Sequence, residues 1–416
     1  MIAILKKKFE SKLIKNSIWM VLLQIFNTIV PILTLPYITR ILSPVSYGSF
    51  SLALNWIGYF QVIVEYGFEL TGSRKIAMRK SNENLNEVYS SIILSRIILF
   101  IGCLVLFGII IFFTPIEKNQ VICMLILFLM VFATVFEQTW FFQGISEMQN
   151  ITIINVFSRG MSVVLIFTLV KKAEDLYLYC FLYVSNYLIS GIIGCFIVYK
   201  KYKVKFKMCS IKLIFKEISD GWYLFLSSVM TKIFGGIGIT VLGIISTKSD
   251  VGIFSAINKI PYVLTILFLA ISRAIYPFNC KKFEYSFEDG VKNVKKVAIP
   301  IILMFSIIGV VLIILHYPIV KYIFGNDYAQ KAILLIPFII WVIFGIINNF
   351  LGIQTLVASG HQKEYSKAFQ ISVCIMCLLM LTMGRVWKIY GVAMASMFSE
   401  IIFSLILLKK IKDIKK

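Results

Sequence analysis

Ionisable side chains occur inside several long apolar segments of this 416-residue chain, where each of them needs a polar partner. The basic ones are Arg96, Arg159, Lys232, Lys259 and Arg273, and the acidic ones are Glu65, Glu137 and Glu400. Because an ionised group inside a bilayer costs roughly 2.5–3.5 kcal/mol even on the mildest scale, such groups usually face a wet cavity. The excess of basic residues predicts a cationic cavity that binds an anionic ligand.

A diphosphate is a ligand that suits such a cavity. Its negative charge is spread over several oxygen atoms, which arginine can bind in pairs and lysine can neutralise. Amide side chains that could bind sugar hydroxyls lie in the same apolar segments: Asn27, Asn55, Asn348 and Asn349. Hydrogen bonding between neighbouring helices is the alternative role for each of these amides.

Structural roles compete with ligand binding at several of the charged positions. Lys259 and Arg273 lie near the ends of predicted helices, so their side chains can extend to the lipid headgroups. Arg159 can form an ion pair with Glu137 on a neighbouring helix, which would hide part of the cationic excess. The sequence leaves these alternatives open.

The segments that carry these side chains are long enough to cross a bilayer, which requires about 20 apolar residues per helix. With 59% hydrophobic and 15% charged residues, the chain is too apolar for a water-soluble fold. We therefore predict an all-α integral membrane protein with about twelve transmembrane helices. They lie near residues 16–36, 47–68, 88–113, 119–142, 151–170, 177–200, 219–246, 252–277, 295–318, 332–357, 367–386 and 389–408.

Basic residues crowd alternate connections between these helices. If both termini are cytoplasmic, most of the 42 lysines and arginines fall on the cytoplasmic side. Short loops follow the positive-inside rule, which predicts that the amino and carboxyl termini lie inside. The net charge of +22 then indicates topology and contact with anionic membrane lipids, and it does not indicate nucleic-acid binding. The cytoplasmic basic residues include Lys6, Lys7, Lys8, Lys12, Lys15, Arg74, Lys75, Arg79, Lys80 and the runs at 200–216 and 281–296.

The longest polar interruption, at residues 200–220, divides the predicted helices six and six. This predicts an N-terminal six-helix bundle at 1–208 and a C-terminal one at 209–416, related by duplication with a substrate path between them. The interruption itself is either a basic amphipathic helix on the inner surface or a plain lysine-rich linker. Four glycines in the seventh span indicate either close packing or a hinge: Gly235, Gly236, Gly238 and Gly243.

Short connections exclude several classes of protein. None could hold a separate catalytic or nucleotide-binding domain, and the phosphate-binding pattern G-x-x-x-x-G-K-[ST] does not occur. His316 and His361 are too far apart for a metal site, and Cys374 and Cys377 have no histidine nearby. With no nucleophile–base arrangement either, the sequence predicts a transporter that is not an enzyme and has no metal or organic cofactor.

Five stretches resemble Wzx-type bacterial polysaccharide-biosynthesis flippases. The first, at residues 27–48, is similar to the family's proline–aromatic–x-Thr-Arg turn followed by a tyrosine–glycine pair, and its matching positions are Pro36, Tyr37, Thr39, Arg40, Leu42, Tyr47 and Gly48. The others follow in the family's order, so the resemblance covers essentially the whole chain. They are EYGFELTGSRKIA at 65–77, WFFQGISEMQN at 140–150, VGIFSAINKI at 251–260 and ASGHQKEY at 358–365.

The resemblance implies the multidrug/oligosaccharidyl-lipid/polysaccharide exporter fold, in which two six-helix bundles form a V that opens alternately to either side. The implied cargo is an undecaprenyl-diphosphate-linked oligosaccharide, moved to the outer face of the bacterial inner membrane for O-antigen, and hence lipopolysaccharide, or another surface polysaccharide. Arg40 of the first motif joins the cationic residues as a candidate cargo ligand. A polysaccharide polymerase and a chain-length regulator are the implied protein partners.

Exporters of this kind are typically coupled to an ion gradient, so the resemblance makes three carboxylates candidate proton or sodium sites. They are Glu65, Glu137 and Glu400. A multidrug exporter of the same fold is the alternative, and it would need an acidic cavity for organic cations. A polysaccharide polymerase would need a sizeable external loop. A peptidoglycan-precursor flippase is closest in mechanism, but the quoted motifs favour the polysaccharide branch.

Overall fold

The structure, a computed structural model, describes residues 2–78 and 82–415, with side chains except at 2–13, 82–84 and 415. Arg79 and Lys80, which contribute to the predicted charge asymmetry, lie outside the described residues, as do the side chains of Lys6, Lys7, Lys8 and Lys12. The helices are α1 Ile2–Ile41, α2 Pro44–Glu65, α3 Phe68–Ala77, α4 Asn82–Phe113, α5 Lys118–Val135, α6 Thr139–Gly144, α7 Met148–Leu169, α8 Leu176–Tyr202, α9 Ile211–Ile245, α10 Lys248–Ile257, α11 Lys259–Phe283, α12 Phe287–Ile314, α13 His316–Phe324, α14 Asn326–Ala329, α15 Leu335–Leu351 and α16 Gln362–Lys415.

Ten helical segments in the described part of the chain are long and apolar enough to cross a membrane. No strand occurs in residues 2–78 or 82–415. The prediction of an all-α, multi-pass membrane protein is therefore confirmed. The second predicted span, α2, is a 22-residue helix that is not one of those ten segments. Several serines and Asn55 make it more polar than they are. The count of twelve crossings stays a prediction.

The last helix, α16, reverses direction at Lys388, whose backbone angles (φ 48°, ψ −125°) are not helical. The Phe369 and Phe403 rings lie 6.0 Å apart, so the two arms of α16 run side by side in opposite directions. Gly391 makes the reversal possible, because a Cβ atom there would lie 2.0 Å from the Met383 carbonyl oxygen. The eleventh and twelfth predicted spans correspond to these two arms.

Contacts between residues divide the chain into two compact units. The first comprises Met1–Leu42 and Leu52–Gly236, and the second comprises Ser43–Ser51 and Ile237–Lys416. Helix α2 therefore begins in the second unit and ends in the first, and α9 begins in the first and ends in the second. The predicted bundle boundary between residues 208 and 209 stays a prediction.

The first unit is centred on aromatic side chains of α3 and α6. Trp140 is completely buried, and burying a large apolar side chain contributes about 1.5–3 kcal/mol. The two helices touch through glycines: a Cβ atom at Gly72 would lie 2.7 Å from the Trp140 ring, and one at Gly144 would lie 2.7 Å from the Ile76 side chain. Two of the family-like stretches, 65–77 and 140–150, thus pack against each other.

The second unit contains a similar contact between the first turns of α2 and α10. A Cβ atom at Gly48 would lie 1.8 Å from the Lys248 carbonyl oxygen, and one at Gly252 would lie 2.1 Å from the Pro44 carbonyl oxygen. Only glycine at both positions permits this backbone-to-backbone approach. The family-like stretches 27–48 and 251–260 meet at this crossing.

The segments that lead into α2 and α10 resemble each other in spacing and in helix capping. Helices α1 and α9 end at Ile41 and Ile245, and α2 and α10 begin after the same separation, at Pro44 and Lys248. Ser43 accepts a hydrogen bond from the Ser46 amide at 3.2 Å, and Thr247 accepts one from the Asp250 amide at 3.2 Å, so both helices have equivalent N-caps. Equal spacing and equivalent caps support the predicted duplication.

An ion-pair network fastens the start of α9 to α3 and α4 within the first unit. The Lys75 ammonium lies 2.7 Å from the Glu217 carboxylate and 2.8 Å from that of Asp220, and Ser91 donates to Glu217 at 3.3 Å. Glu217 is almost completely buried. Burial acts to lower the pKa of Lys75, but the hydrogen bonds to Asp220 and Glu217 outweigh it and raise that pKa. The stabilisation is therefore complete below the lysine's usual pKa and is lost as pH rises through the raised value.

We expect Lys75→Met to destabilise the protein by about 3–5 kcal/mol, because it leaves the buried Glu217 carboxylate without a cation. Lys201→Met is the matched control, since Lys201 and Glu147 are 3.7 Å apart with side chains 53% and 34% exposed. Such an exposed pair is worth less than about 1 kcal/mol. Thermal unfolding of the detergent-solubilised protein measures both effects, and equal shifts in midpoint would contradict the prediction.

Candidate functional site

Arg96 on α4 caps the end of α5. Its guanidinium donates to the carbonyl oxygens of Thr134 at 3.1 Å and Glu137 at 2.7 Å, and it lies 5.9 Å from the Trp140 ring centroid. Carbonyl groups at a helix end have no partner within the helix, so a cationic donor stabilises them. Arg96 is only 1% exposed, and protein atoms surround it. It holds α4, α5 and α6 together, and its predicted contact with a ligand stays a prediction.

Arg159 on α7 is half-buried and has a neutral partner. Its guanidinium donates to the side-chain oxygen of Asn27 on α1 at 2.6 Å. The alternative ion pair with Glu137 is wrong, because the Glu137 carboxylate accepts a hydrogen bond from the Thr139 amide instead. An amide partner orients the guanidinium without neutralising it, so Arg159 keeps its positive charge, and its predicted contact with a ligand stays a prediction.

Lys232 on α9 lies against α2 in the first unit. A Cβ atom at Gly58 would lie 2.2 Å from the Lys232 ammonium nitrogen, which is also 5.8 Å from the Tyr59 ring centroid. The absence of a side chain at Gly58 thus makes room for the ammonium group, and the ring attracts it. Gly236 lies one turn further along α9, and its carbonyl oxygen accepts a hydrogen bond from the Asn55 amide of α2 at 3.2 Å. Asn55 is 5% exposed, so it serves this helix contact.

A group of charges lies near the carboxyl end of α2. The Glu65 carboxyl group lies near enough to Arg96, Lys232, Glu69 and Glu137 to interact with them electrostatically. The structure therefore brings together two of the predicted carboxylates and two of the predicted cations in the first unit. Glu69 also accepts a hydrogen bond from Gln143 at 2.8 Å. Proton or sodium binding by Glu65 or Glu137 stays a prediction.

The other predicted cations are exposed. Arg40 lies in the last turn of α1, where a cation is favourable next to the helix carbonyl groups. Lys259 and Arg273 lie at opposite parts of α11 in the second unit, about 20 Å apart along the helix axis. Lys259 lies 5.7 Å from the ring centroid of Tyr262, and Arg273 has no hydrogen bond or ion pair among the described residues.

Glu400 belongs to a buried network that joins α15 to the second arm of α16. The Asn348 amide donates to the Glu400 carboxylate and, at 2.9 Å, to the Glu400 carbonyl oxygen. Ser404 donates to the Asn348 side-chain oxygen at 2.6 Å. Glu400 is 8% exposed, and the described side chains supply it with an amide but no cation. Its predicted role in ion coupling stays a prediction.

Asn349 belongs to a second polar chain in the same unit. Ser272 donates to its side-chain oxygen at 2.7 Å, and the Gln354 amide donates to the Ser272 oxygen at 3.0 Å. Asn279 donates to Gln354 at 2.8 Å, and Asn293 donates to Asn279 at 2.9 Å. Gln354 lies in the π-helical segment Gly352–Val357, whose wide turn presents this side chain to α11.

Sequence reasoning missed two buried acids. Glu217 is paired with Lys75, and Asp250 at the start of α10 is paired with Lys331 and bonded to Ser246. Asp250 is 5% exposed. A signal for it exists in the sequence, since it follows the helix cap Thr247 by three residues, the position that a capping acid takes. No such signal marks Glu217.

Comparison with known proteins agrees with this architecture. The family model described as "Polysaccharide biosynthesis protein" matches residues 13–281. A curated relative from Escherichia coli (strain K12), "Putative O-antigen transporter", is 26% identical over 96% of this chain and 97% of its own length. A relative of the same name from Shigella dysenteriae is 24% identical over 96% of this chain and 100% of its own length.

Solved structures share the fold. "Lipid II flippase MurJ, inward closed conformation" superposes with a TM-score of 0.72 and 16% identity, over 96% of this chain and 87% of that one. An inward-facing multidrug resistance MATE family transporter has a TM-score of 0.62 and 14% identity, over 93% of this chain and 99% of its own. The resemblance found in the sequence motifs is confirmed: the chain belongs to the polysaccharide biosynthesis protein family.

Proposed function

We propose that the protein is a flippase that moves an undecaprenyl-diphosphate-linked oligosaccharide to the outer face of the bacterial inner membrane. Its relatives are named as O-antigen transporters and not as enzymes, which supports a transport function without covalent chemistry. The observation that carries the proposal is Arg159, a half-buried guanidinium whose partner Asn27 leaves its charge unneutralised. A cavity for organic cations should be lined by acidic side chains instead.

Arg159 and Lys232 bind the cargo diphosphate in this proposal, while Arg96 stabilises the fold. The guanidinium forks onto phosphate oxygens, and the ammonium adds a point charge. The cargo needs only to be bound, moved and released, without covalent chemistry. In this proposal an ion gradient supplies the free energy for its transport. Glu65, Glu137 and Glu400 are the candidate coupling residues. A polymerase and a chain-length regulator would receive the delivered units.

Alternating access requires that the outward path be closed when the inward path is open. We place the outer closure at the crossing of α2 and α10, where Gly48 and Gly252 let two backbones touch. The predicted topology puts this crossing near the outer face. Lys331, which is paired with Asp250 beside it, stabilises the closed arrangement.

The experiment that tests the function is measurement of the lipid-linked oligosaccharide pool in a strain that lacks the gene. We expect completed repeat units to accumulate on the cytoplasmic side, protected from externally added glycan-modifying enzymes. An unchanged pool with lost efflux of a cationic dye would indicate a drug exporter instead. Units that reach the outer face and remain unpolymerised would indicate a polymerase.

We expect Arg159→Gln to reduce export by roughly 10- to 100-fold, the effect of losing about 1.5–3 kcal/mol of charged hydrogen bonding. Arg159→Lys should recover part of this loss because it restores the charge. Arg96→Gln is the contrasting variant, and it should reduce the amount of folded protein while export per folded molecule is retained. Export is measured as surface glycan normalised to membrane-inserted protein. Normal export by Arg159→Gln would overturn the assignment.

Gly58→Ala should move the Lys232 ammonium group, since the new methyl carbon would lie 2.2 Å from it. We expect a loss of export of at least tenfold with a small change in stability, because the clash falls on the far end of a flexible side chain. Gly160→Ala is the control, as nothing lies within 4 Å of a Cβ atom there. Equal export by the two variants would show that the position of Lys232 does not matter.

Gly48→Ala and Gly252→Ala should open the outer closure, because each methyl carbon would collide with a backbone oxygen. The reporter is a Ser255→Cys substitution on α10, 5% exposed in the closed arrangement, in a chain whose eight native cysteines are replaced. We expect faster reaction with a membrane-impermeant maleimide added outside. Gly108→Ala, where a Cβ atom meets nothing within 4 Å, should leave the rate unchanged. An unchanged rate in correctly inserted Gly48→Ala protein would contradict the outer closure.

A further inference from the structure

The connection between α8 and α9 is extended and fixed to α4. The Lys205 amide donates to the Asn86 side chain at 2.8 Å, and the Lys207 amide donates to Ser90 at 2.9 Å. Val204 is 4% exposed and anchors the same segment. Of the two alternatives for this region, a basic amphipathic helix is therefore wrong for residues 203–210, which follow α8 without helical structure.

This fixed segment and the first turns of α9 form a surface that we call the 203–216 strip. Its lysines, all exposed, are Lys203, Lys205, Lys207, Lys212 and Lys216. Between them lie large apolar side chains that are also exposed, namely Phe206 (52%), Met208 (87%), Ile211 (68%) and Phe215 (63%). A fixed backbone that presents cations and bulky apolar groups together needs a partner with both kinds of surface.

The described acids near the strip offset its positive charge only in part. Glu217 is buried against Ser91 and paired with Lys75, and Asp220 is paired with the same lysine. Lys75 neutralises one of these two negative charges, and the exposed Glu87, whose carbonyl oxygen accepts a hydrogen bond from Cys209, adds another. Its five exposed lysines outnumber these uncompensated acids, so the 203–216 strip keeps a net positive charge among the described residues.

Neighbouring residues indicate the depth of the strip. Trp222 and Tyr223 on α9 are exposed, and Tyr199 on α8 is exposed as well. Aromatic residues of these types prefer the boundary between headgroups and acyl chains. The strip lies beyond this boundary along both helices, on the side predicted to be cytoplasmic. This is the level of the phospholipid headgroups.

We propose that the 203–216 strip binds anionic glycerophospholipids of the inner leaflet. The lysines bind headgroup phosphates, while Phe206, Met208, Ile211 and Phe215 enter the acyl boundary. Charge complementarity selects anionic over zwitterionic lipids, and the exposed apolar groups select a lipid over free phosphate. The site is separate from Arg159 and Lys232, and it does not depend on which cargo is carried.

The test uses the full-length protein with all five strip lysines changed to glutamine. The control changes five lysines near the ends of α11 and α12, which the predicted topology also puts inside: Lys281, Lys282, Lys292, Lys295 and Lys296. Phosphatidylglycerol and phosphatidylcholine are each titrated into the detergent-solubilised proteins, and bound lipid is counted by native mass spectrometry. Wild-type protein and the control should bind phosphatidylglycerol alike.

We expect the strip variant to bind phosphatidylglycerol at least tenfold more weakly, since each lysine near an anionic surface contributes roughly a fivefold effect. Equal weakening in the control would mean that net charge alone attracts the lipid, and would overturn the proposal. Equal affinity of wild-type protein for phosphatidylcholine would overturn it too. So would complete displacement of the lipid by inorganic phosphate, which would identify a phosphate site.

A second measurement tests the proposal if the variant with all five lysines changed to glutamine does not fold. Met208→Cys carries an environment-sensitive fluorophore in the protein whose native cysteines are replaced, and the protein is placed in nanodiscs. We expect an emission shift towards an apolar environment that is larger with phosphatidylglycerol than with phosphatidylcholine. This difference between the two lipids should diminish in the triple variant Lys203→Gln, Lys205→Gln, Lys207→Gln. Emission typical of water in both lipids would overturn the proposal.

Discussion

The backbone contact between Gly48 and Gly252 is the constraint on which the arrangement of the helices depends. Because neither position tolerates a Cβ atom, the first turns of α2 can lie directly on α10. This contact assigns Ser43–Ser51 to the second unit while the rest of α2 belongs to the first. Residues of α2 further along, Asn55 and Gly58, then meet α9 and accommodate Lys232. The same helix, α2, thus carries both the glycine contact and the position that accommodates Lys232.

The distribution of charge follows from the low tolerance of a bilayer protein for unpaired ions. Two buried acids are paired with lysines, Glu217 with Lys75 and Asp250 with Lys331, whereas the buried Glu400 has the Asn348 amide as its partner. Arg96 instead binds helix carbonyl groups, which supply partial negative charge without a carboxylate. Arg159 differs from these because its partner is a neutral amide. In the proposed function, this remaining positive charge binds the anionic cargo.

Much of the fold could be predicted from the sequence, because length and hydropathy limit what can cross a bilayer. The apolar stretches and the reversal near Lys388 follow from these properties. Depth in the predicted membrane span and sign of charge could not distinguish the structural role of Arg96 from the role proposed for Arg159. Both are arginines within apolar segments, and they differ only in their partners. Glu217 was missed for the same reason: its pairing with Lys75 joins residues far apart in the chain. The partner of a buried charge is a property of tertiary packing, which hydropathy does not encode.

The stretches that identify the family are mainly sites of close packing. Gly72 and Gly144 bring α3 against α6, Gly48 and Gly252 bring α2 against α10, and Gly352 leaves space for the Tyr365 ring. Such positions are intolerant of substitution because a methyl group would displace backbone or a buried ring. These glycines serve the packing of the helices and make no contact that identifies a cargo. In the proposed function, recognition of the sugar therefore depends on other side chains, which this packing does not require.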